Sequence, residues 1–182
     1  MDCVQCRSKQ CRTAEACEVG SFETEHIAER YRAEDAQRIV QSAAALVDDG
    51  RAGTLSRLDE LVEFIGRQNY KKVGLAYCYG METDAQRMKQ YFRERGIVLR
   101  TVSCTVGGMP QSTVNAKSSD PHVSCNPLGQ AAQLNAERTD LVILMGICLG
   151  HDILLQRSLS CDVTTFVVKD RLHQHRPLDA LR

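Results

Sequence analysis

From Tyr70 onward the chain alternates short apolar runs with amphipathic stretches, and that alternation limits what it can fold into more than any other feature. "KKVGLAYCY", "IVLRTVSC", "DLVILMGIC" and "DVTTFVVKD" read as strands. Their near-continuous apolar character suits strands covered on both faces, as in a parallel sheet. Between them lie "ETDAQRMKQYFRERG", an amphipathic helix closed by Gly96, "NPLGQAAQLNAERT", a helix with Pro127 in its first turn, and the short helix "GHDILLQRS". Strand and helix in strict alternation predict an α/β, doubly wound, mainly parallel sheet of Rossmann- or flavodoxin-like form over residues 69–182. Upstream, residues 25–68 read as a helical cover. One helix runs from Glu25 to Asp48 with Gly50 at its C-terminal end, and a second from Leu55 to Ile65 with Thr54 as N-cap.

Residues 1–24 have no such periodicity and form a Cys-rich segment. Cys3, Cys6, Cys11 and Cys17 follow the spacing C-x2-C-x4-C-x5-C. Four thiolates that close together can enclose one ion, and thiolate sulfur suits zinc or an iron–sulfur cluster. Arg7, Lys9 and Arg12 lie between them and offset their negative charge. The spacing is neither a ferredoxin run nor a pair of matched zinc knuckles, so zinc and iron–sulfur both stay open.

The chain holds nine cysteines, an odd number that cannot all pair. No apolar run in it resembles a secretory signal, and the longest, "LVILMGICLG", is about half of a membrane span. A cytoplasmic protein without a membrane partner is the expectation, with its cysteines used for metal or thiol chemistry. Lys plus Arg equals Asp plus Glu, 23 each, so no net field draws the protein to nucleic acid.

Cys78, Cys104 and Cys148 end the first three strands, and Cys125 precedes the helix that starts near Pro127. In doubly wound sheets the ligand crevice lies beyond the carboxyl ends of the strands. These four residues are therefore the candidate cofactor-binding set, for zinc or an iron–sulfur cluster, at one rim. The alternative is a set of buried thiols with no chemistry. In "GICLGHD", Gly146 and Gly150 flank Cys148 as in a nucleophile elbow, so Cys148 and His151 are candidate catalytic residues, with His173 or His175 as further bases. "GICLGH" resembles the cysteine elbow of class I glutamine amidotransferases, but the downstream His-x-Glu pair of those enzymes has no counterpart here. About twenty residues between Cys104 and Cys125 read as a lid, with Gly107, Gly108 and Pro110 as turn positions. Lys169, Asp170 and Arg171 end the fourth strand, either as a solvated charge run or as an anion site.

Taken together, "CVQC" with Cys11 and Cys17, "CYG", "VSCTVGG", "SCNPLGQAAQLN", "GICLGHD" and "VTTFVVKDRLHQHRPLDAL" resemble a family of bacterial and archaeal proteins known as domain of unknown function 1847, described as predicted metal-binding proteins. The resemblance implies that both cysteine groups, with His151 and Asp152, are family features, and that Cys161 is incidental. It implies no activity. Three functions stay open: a metal or iron–sulfur protein with redox or sulfur chemistry and a small-molecule or redox partner, a cysteine-nucleophile enzyme, and a small-molecule binder. Against the last, "CYGMETD" lacks a glycine-rich phosphate cradle.

Overall fold

A computed structural model describes residues 2–13 and 22–182. The chain divides into two compact units, residues 1–45 and 46–182.

In the N-terminal unit Lys9 takes a left-handed conformation, φ 51°, and leads into a 3₁₀ turn over Gln10–Arg12. The Lys9 ammonium folds back onto the Cys3 carbonyl at 2.5 Å. Two helices follow, α1 (Thr24–Tyr31) and α2 (Glu34–Val47), where the sequence pattern predicts one. The break has a local cause. The Gln37 side-chain amide donates to the Tyr31 carbonyl at 2.5 Å, and Ala33 turns back to the Arg30 carbonyl at 3.3 Å. Glu34 and Asp35 then open α2, where acidic groups complement the helix dipole.

The C-terminal unit begins with α3 (Arg57–Gln68). Its N-cap is Ser56, whose hydroxyl accepts the Asp59 N–H at 3.2 Å. The expected cap, Thr54, instead donates to the Arg51 carbonyl at 2.7 Å, so its hydroxyl is committed to the preceding turn. The helix runs past Ile65 and stops at Asn69, in the left-handed region at φ 57°.

Four parallel strands follow: β1 (Val73–Tyr77), β2 (Leu99–Ser103), β3 (Leu141–Met145) and β4 (Asp162–Val167). They alternate with α4 (Glu82–Arg93), the single turn α5 (Gln111–Val114), α6 (Pro127–Ala136) and α7 (His151–Ser158). The strand order β2-β1-β3-β4 matches the first four strands of the flavodoxin-like arrangement. Because β2 and β3 lie on opposite sides of β1, the winding reverses between β1 and β3, and the crevice opens there.

Both faces are covered, as the apolar strands require. Leu61 and Ile65 of α3 and Ala85, Met88 and Phe92 of α4 share one core with Val73, Leu75, Leu99, Leu141 and Ile143. On the other face Ala131 and Leu134 of α6 and Leu155 of α7 meet Ala76, Val102, Val142 and Leu144. Gly74 permits this second layer: a Cβ there would lie 2.6 Å from Leu134 Cδ2.

The expected lid has more structure of its own than an open loop. Gln111 N–H donates to the His122 carbonyl at 2.8 Å and Ser124 N–H to the Met109 carbonyl at 2.8 Å, with a bridge between Pro110 and Val123. The excursion therefore closes on itself and returns Cys125 to the sheet.

Candidate metal centre

The backbone presents each rim cysteine differently. Cys78 and Cys104 are the first residues beyond β1 and β2 and extend the ladder by one step: Cys78 N–H donates to the Met145 carbonyl at 3.0 Å and Cys104 N–H to the Tyr77 carbonyl at 2.9 Å. Beneath them the fully buried Gln130 donates to the Val102 carbonyl at 2.9 Å and the Tyr77 carbonyl at 3.4 Å. Its Oε1 has no hydrogen-bond partner among the described residues. Cys125 is held by its neighbour Asn126, whose N–H meets the Cys104 carbonyl at 2.6 Å. The Asn126 side chain caps α6 by accepting the Gly129 N–H at 2.8 Å.

Cys148 stands on the elbow between β3 and α7. Gly146 has φ +62°, and a Cβ there would fall 2.2 Å from Met81 Sδ, so this turn admits only glycine without displacement. Gly150, φ +86°, precedes α7. Asp152 Oδ1 accepts the N–H groups of Gly150 at 2.9 Å and Ile153 at 2.8 Å, which fixes the start of the helix and His151 with it.

These elements bring one Cys/His group together. The ligand atoms of Cys125, Cys148 and His151 all lie within 4.8 Å of one another. Cys104 Sγ is 3.5 Å from Cys125 Sγ and accepts the Tyr79 N–H at 3.4 Å. Two cations reach in from beyond β4: Lys169 Nζ donates to Cys78 Sγ at 3.1 Å, and Arg171 to Cys148 Sγ at 3.2 Å. Burial pushes the Cys104 thiol up to about 12 and raises Cys125 as well. Burial also works against ionisation of Cys78, but the Lys169 ammonium and the Gly80 N–H outweigh it and bring that thiol below its ordinary range. Contact with Cys148 in turn raises Arg171. Cys78 and Cys104 are buried, while Cys125, Cys148 and His151 are half-buried and reachable from solvent. A cleft of about 490 Å³ opens near the same strand ends, lined by Met81, Met145, Val167 and His175 among others.

All four rim cysteines thus lie at the carboxyl end of the sheet, and the two candidate catalytic residues, Cys148 and His151, join Cys125 in one group. His173 and His175 lie outside that group and are both tied to Asp170. His173 Nδ1 lies 3.0 Å from Asp170 Oδ2, and His175 Nδ1 accepts the Asp170 N–H at 3.1 Å, while His175 also lines the cleft. Cys161 sits 3.5 Å from Thr139 Oγ1, packed against the second core. Of the N-terminal group, Cys3 and Cys11 are exposed and Cys6 half-buried, and Cys17 lies outside the described residues. The Lys9 N–H and Ser8 hydroxyl lower the Cys6 thiol.

Sequence reasoning missed that Lys169 and Arg171 meet sulfur. The signal for it was their i, i+2 spacing past a strand that follows the cysteine elbow after β3. No helix among the described residues is long and apolar enough to cross a membrane.

No solved structure matches the chain. A protein of Methanocaldococcus jannaschii, itself described as uncharacterized, is 35% identical over the whole of this chain and 93% of its own length. The family described as "Protein of unknown function (DUF1847)" matches residues 15–166, a span that takes in Cys17, all four rim cysteines and His151 and begins after Cys11. On both grounds the chain belongs to that family.

Proposed function

We propose that the protein binds a metal ion at the sheet rim through Cys125, Cys148 and His151, and acts there on a small-molecule or redox partner. One observation carries the reading: the three ligand atoms lie within 4.8 Å of one another. Donors around a tetrahedral zinc ion stand about 3.5–3.8 Å apart, given Zn–S near 2.3 Å and Zn–N near 2.0 Å, so small side-chain shifts suffice. An iron–sulfur cluster must fit several irons and sulfides between its cysteines and spreads them wider. Of the two cofactors the sequence leaves open, the spacing favours a single ion, zinc first. Zinc held by two thiolates and one imidazole supplies a Lewis-acid position for an oxygen or sulfur of a bound molecule. Arg171 offsets charge on Cys148, and Asp152 holds the turn that orients His151. Cys3, Cys6, Cys11 and Cys17 then bind a second, structural ion.

The contact of Arg171 with Cys148 at 3.2 Å also supports the reading of Cys148 as a nucleophile with His151 beside it. Elemental analysis of protein purified without oxygen separates the cases. Zinc that falls away from the rim in Cys148→Ser and His151→Ala but stays in Cys78→Ser supports the single-ion centre. Iron and labile sulfide that follow all four rim cysteines would replace it with a cluster. A rim without metal, together with rapid alkylation of Cys148, would leave the nucleophile.

A further inference from the structure

Cys104 stands outside the three-residue group yet touches it. Its sulfur is 3.5 Å from that of Cys125, a van der Waals contact between two thiols. The Asn126 N–H to Cys104 carbonyl bond, 2.6 Å, ties the two backbones side by side at the next peptide. Closing a disulfide needs the sulfurs to approach from 3.5 Å to about 2.05 Å. The other two rim sulfurs each meet a cation as well, Cys78 Lys169 at 3.1 Å and Cys148 Arg171 at 3.2 Å, and Cys148 Sγ lies within 4.8 Å of Cys125 Sγ, against 3.5 Å for Cys104. Access is asymmetric: Cys125 is half-buried and Cys104 is 3% exposed. That is the arrangement of an outer thiol that meets an oxidant and an inner thiol that resolves the product.

We infer that Cys104 and Cys125 form a redox-active dithiol, oxidised to an intramolecular disulfide by exchange with a low-molecular-weight disulfide, and that oxidation withdraws Cys125 from the metal centre. The second clause rests on the function proposed above, and the first does not. In the first exchange Cys125 attacks one sulfur of oxidised glutathione. A Cys125–glutathione bond forms, the glutathione disulfide breaks, and one glutathione leaves with the Cys125 proton. In the second, Cys104 attacks Cys125 Sγ and displaces the other glutathione, which takes the Cys104 proton. Two thiols are oxidised and one disulfide is reduced to two thiols. Because Cys104 is the buried partner, the second step is the slower one.

The chain is well suited to the test, since trypsin puts each rim cysteine on its own peptide: Cys78 on 73–87, Cys104 on 101–117, Cys125 on 118–138 and Cys148 on 139–157. Metal-free native protein is incubated with oxidised glutathione, alkylated, digested and weighed by mass spectrometry. The expected product joins 101–117 to 118–138 and disappears on reduction. In Cys104→Ser, glutathione stays on Cys125 and that cross-link is lost; in Cys125→Ser neither adduct nor cross-link forms there. A cross-link from 118–138 to 139–157 instead, or none under native conditions, overturns the dithiol. With zinc added at about a hundred times its Kd, the rate of bridging falls about a hundredfold if the ion and the disulfide share Cys125. Bridging unchanged in zinc-loaded protein overturns the shared sulfur. A bridge in protein that binds no zinc at the rim leaves the dithiol standing and removes the proposed metal function.

Discussion

Replacing Gly146 by alanine probes the elbow that carries Cys148. Two costs can be read from the structure. At φ +62° an L-residue sits in the left-handed region, which costs about 1–2 kcal/mol. The new methyl also lands 2.2 Å from Met81 Sδ and 3.4 Å from its Cγ, deep enough along that side chain that a swing of the terminal methyl does not relieve it. Met81 is packed in the core beside α4, so pushing it aside is overpacking, worth about 1–3 kcal/mol. The sum is about 2–5 kcal/mol, a large share of an ordinary domain's stability. Gly150→Ala is the control: its φ is +86° but nothing lies within 4 Å of the methyl the substitution adds, so only the backbone cost of about 1–2 kcal/mol applies. Urea unfolding, with the slope unchanged, measures both. The double variant with Met81→Ala removes the collision and shows a favourable coupling of about 1–3 kcal/mol. If Gly146→Ala and Gly150→Ala cost the same and no coupling appears, the close approach of Met81 to the elbow is wrong.

Three further outcomes are expected. Ser56→Ala removes the cap of α3 and lowers stability by about 1 kcal/mol, more than Thr54→Ala does, and equal losses in thermal melts would return the cap to Thr54. Glu63 accepts both Arg51 nitrogens, at 2.8 and 2.6 Å, and pairs with Arg67 at 2.8 Å, so its carboxyl falls from 4.5 to about 2. With the folded value below the unfolded one, the stabilisation is complete above the unfolded value and is lost as pH falls through the folded one. Glu63→Gln therefore flattens the acid limb of a stability–pH profile between these limits, and an identical limb in the variant contradicts the pairing. Lys169→Met removes the ammonium from Cys78, so in metal-free protein the ultraviolet absorbance of that thiolate rises at higher pH than in the parent. The sign is the same as for Glu63: a lowered thiol stabilises above its unfolded value and stops doing so as pH falls through the folded one. An unmoved thiolate titration would place Lys169 elsewhere.

How much is legible in the sequence follows the range of the interactions concerned. The four strands and α4, α6 and α7 can be placed because burial on both faces demands apolar residues at successive positions, and because Pro127, Gly96 and the flanking glycines mark ends through local backbone chemistry. That cysteines at strand ends share a rim follows from parallel winding alone. The stretch from Glu25 to Asp48 reads as one helix because periodicity sees the apolar face and not the competition of one glutamine side chain for one carbonyl. Thr54 and Ser56 are equally good caps by residue type, and only the turn that spends the Thr54 hydroxyl on Arg51 separates them.

By itself, then, the sequence determined a doubly wound parallel sheet with its cysteines at the carboxyl edge, since each of those features is written in residues a few positions apart. The tertiary structure decided which sulfur meets which group. Cys125 joins Cys148 and His151, Cys104 touches Cys125, and Lys169 and Arg171 turn onto Cys78 and Cys148. Those partners are separated by up to 91 residues, and the strand order β2-β1-β3-β4 sets their distances. Contacts of a few ångströms between such remote positions depend on how the layers pack, and no local pattern along the chain encodes that packing.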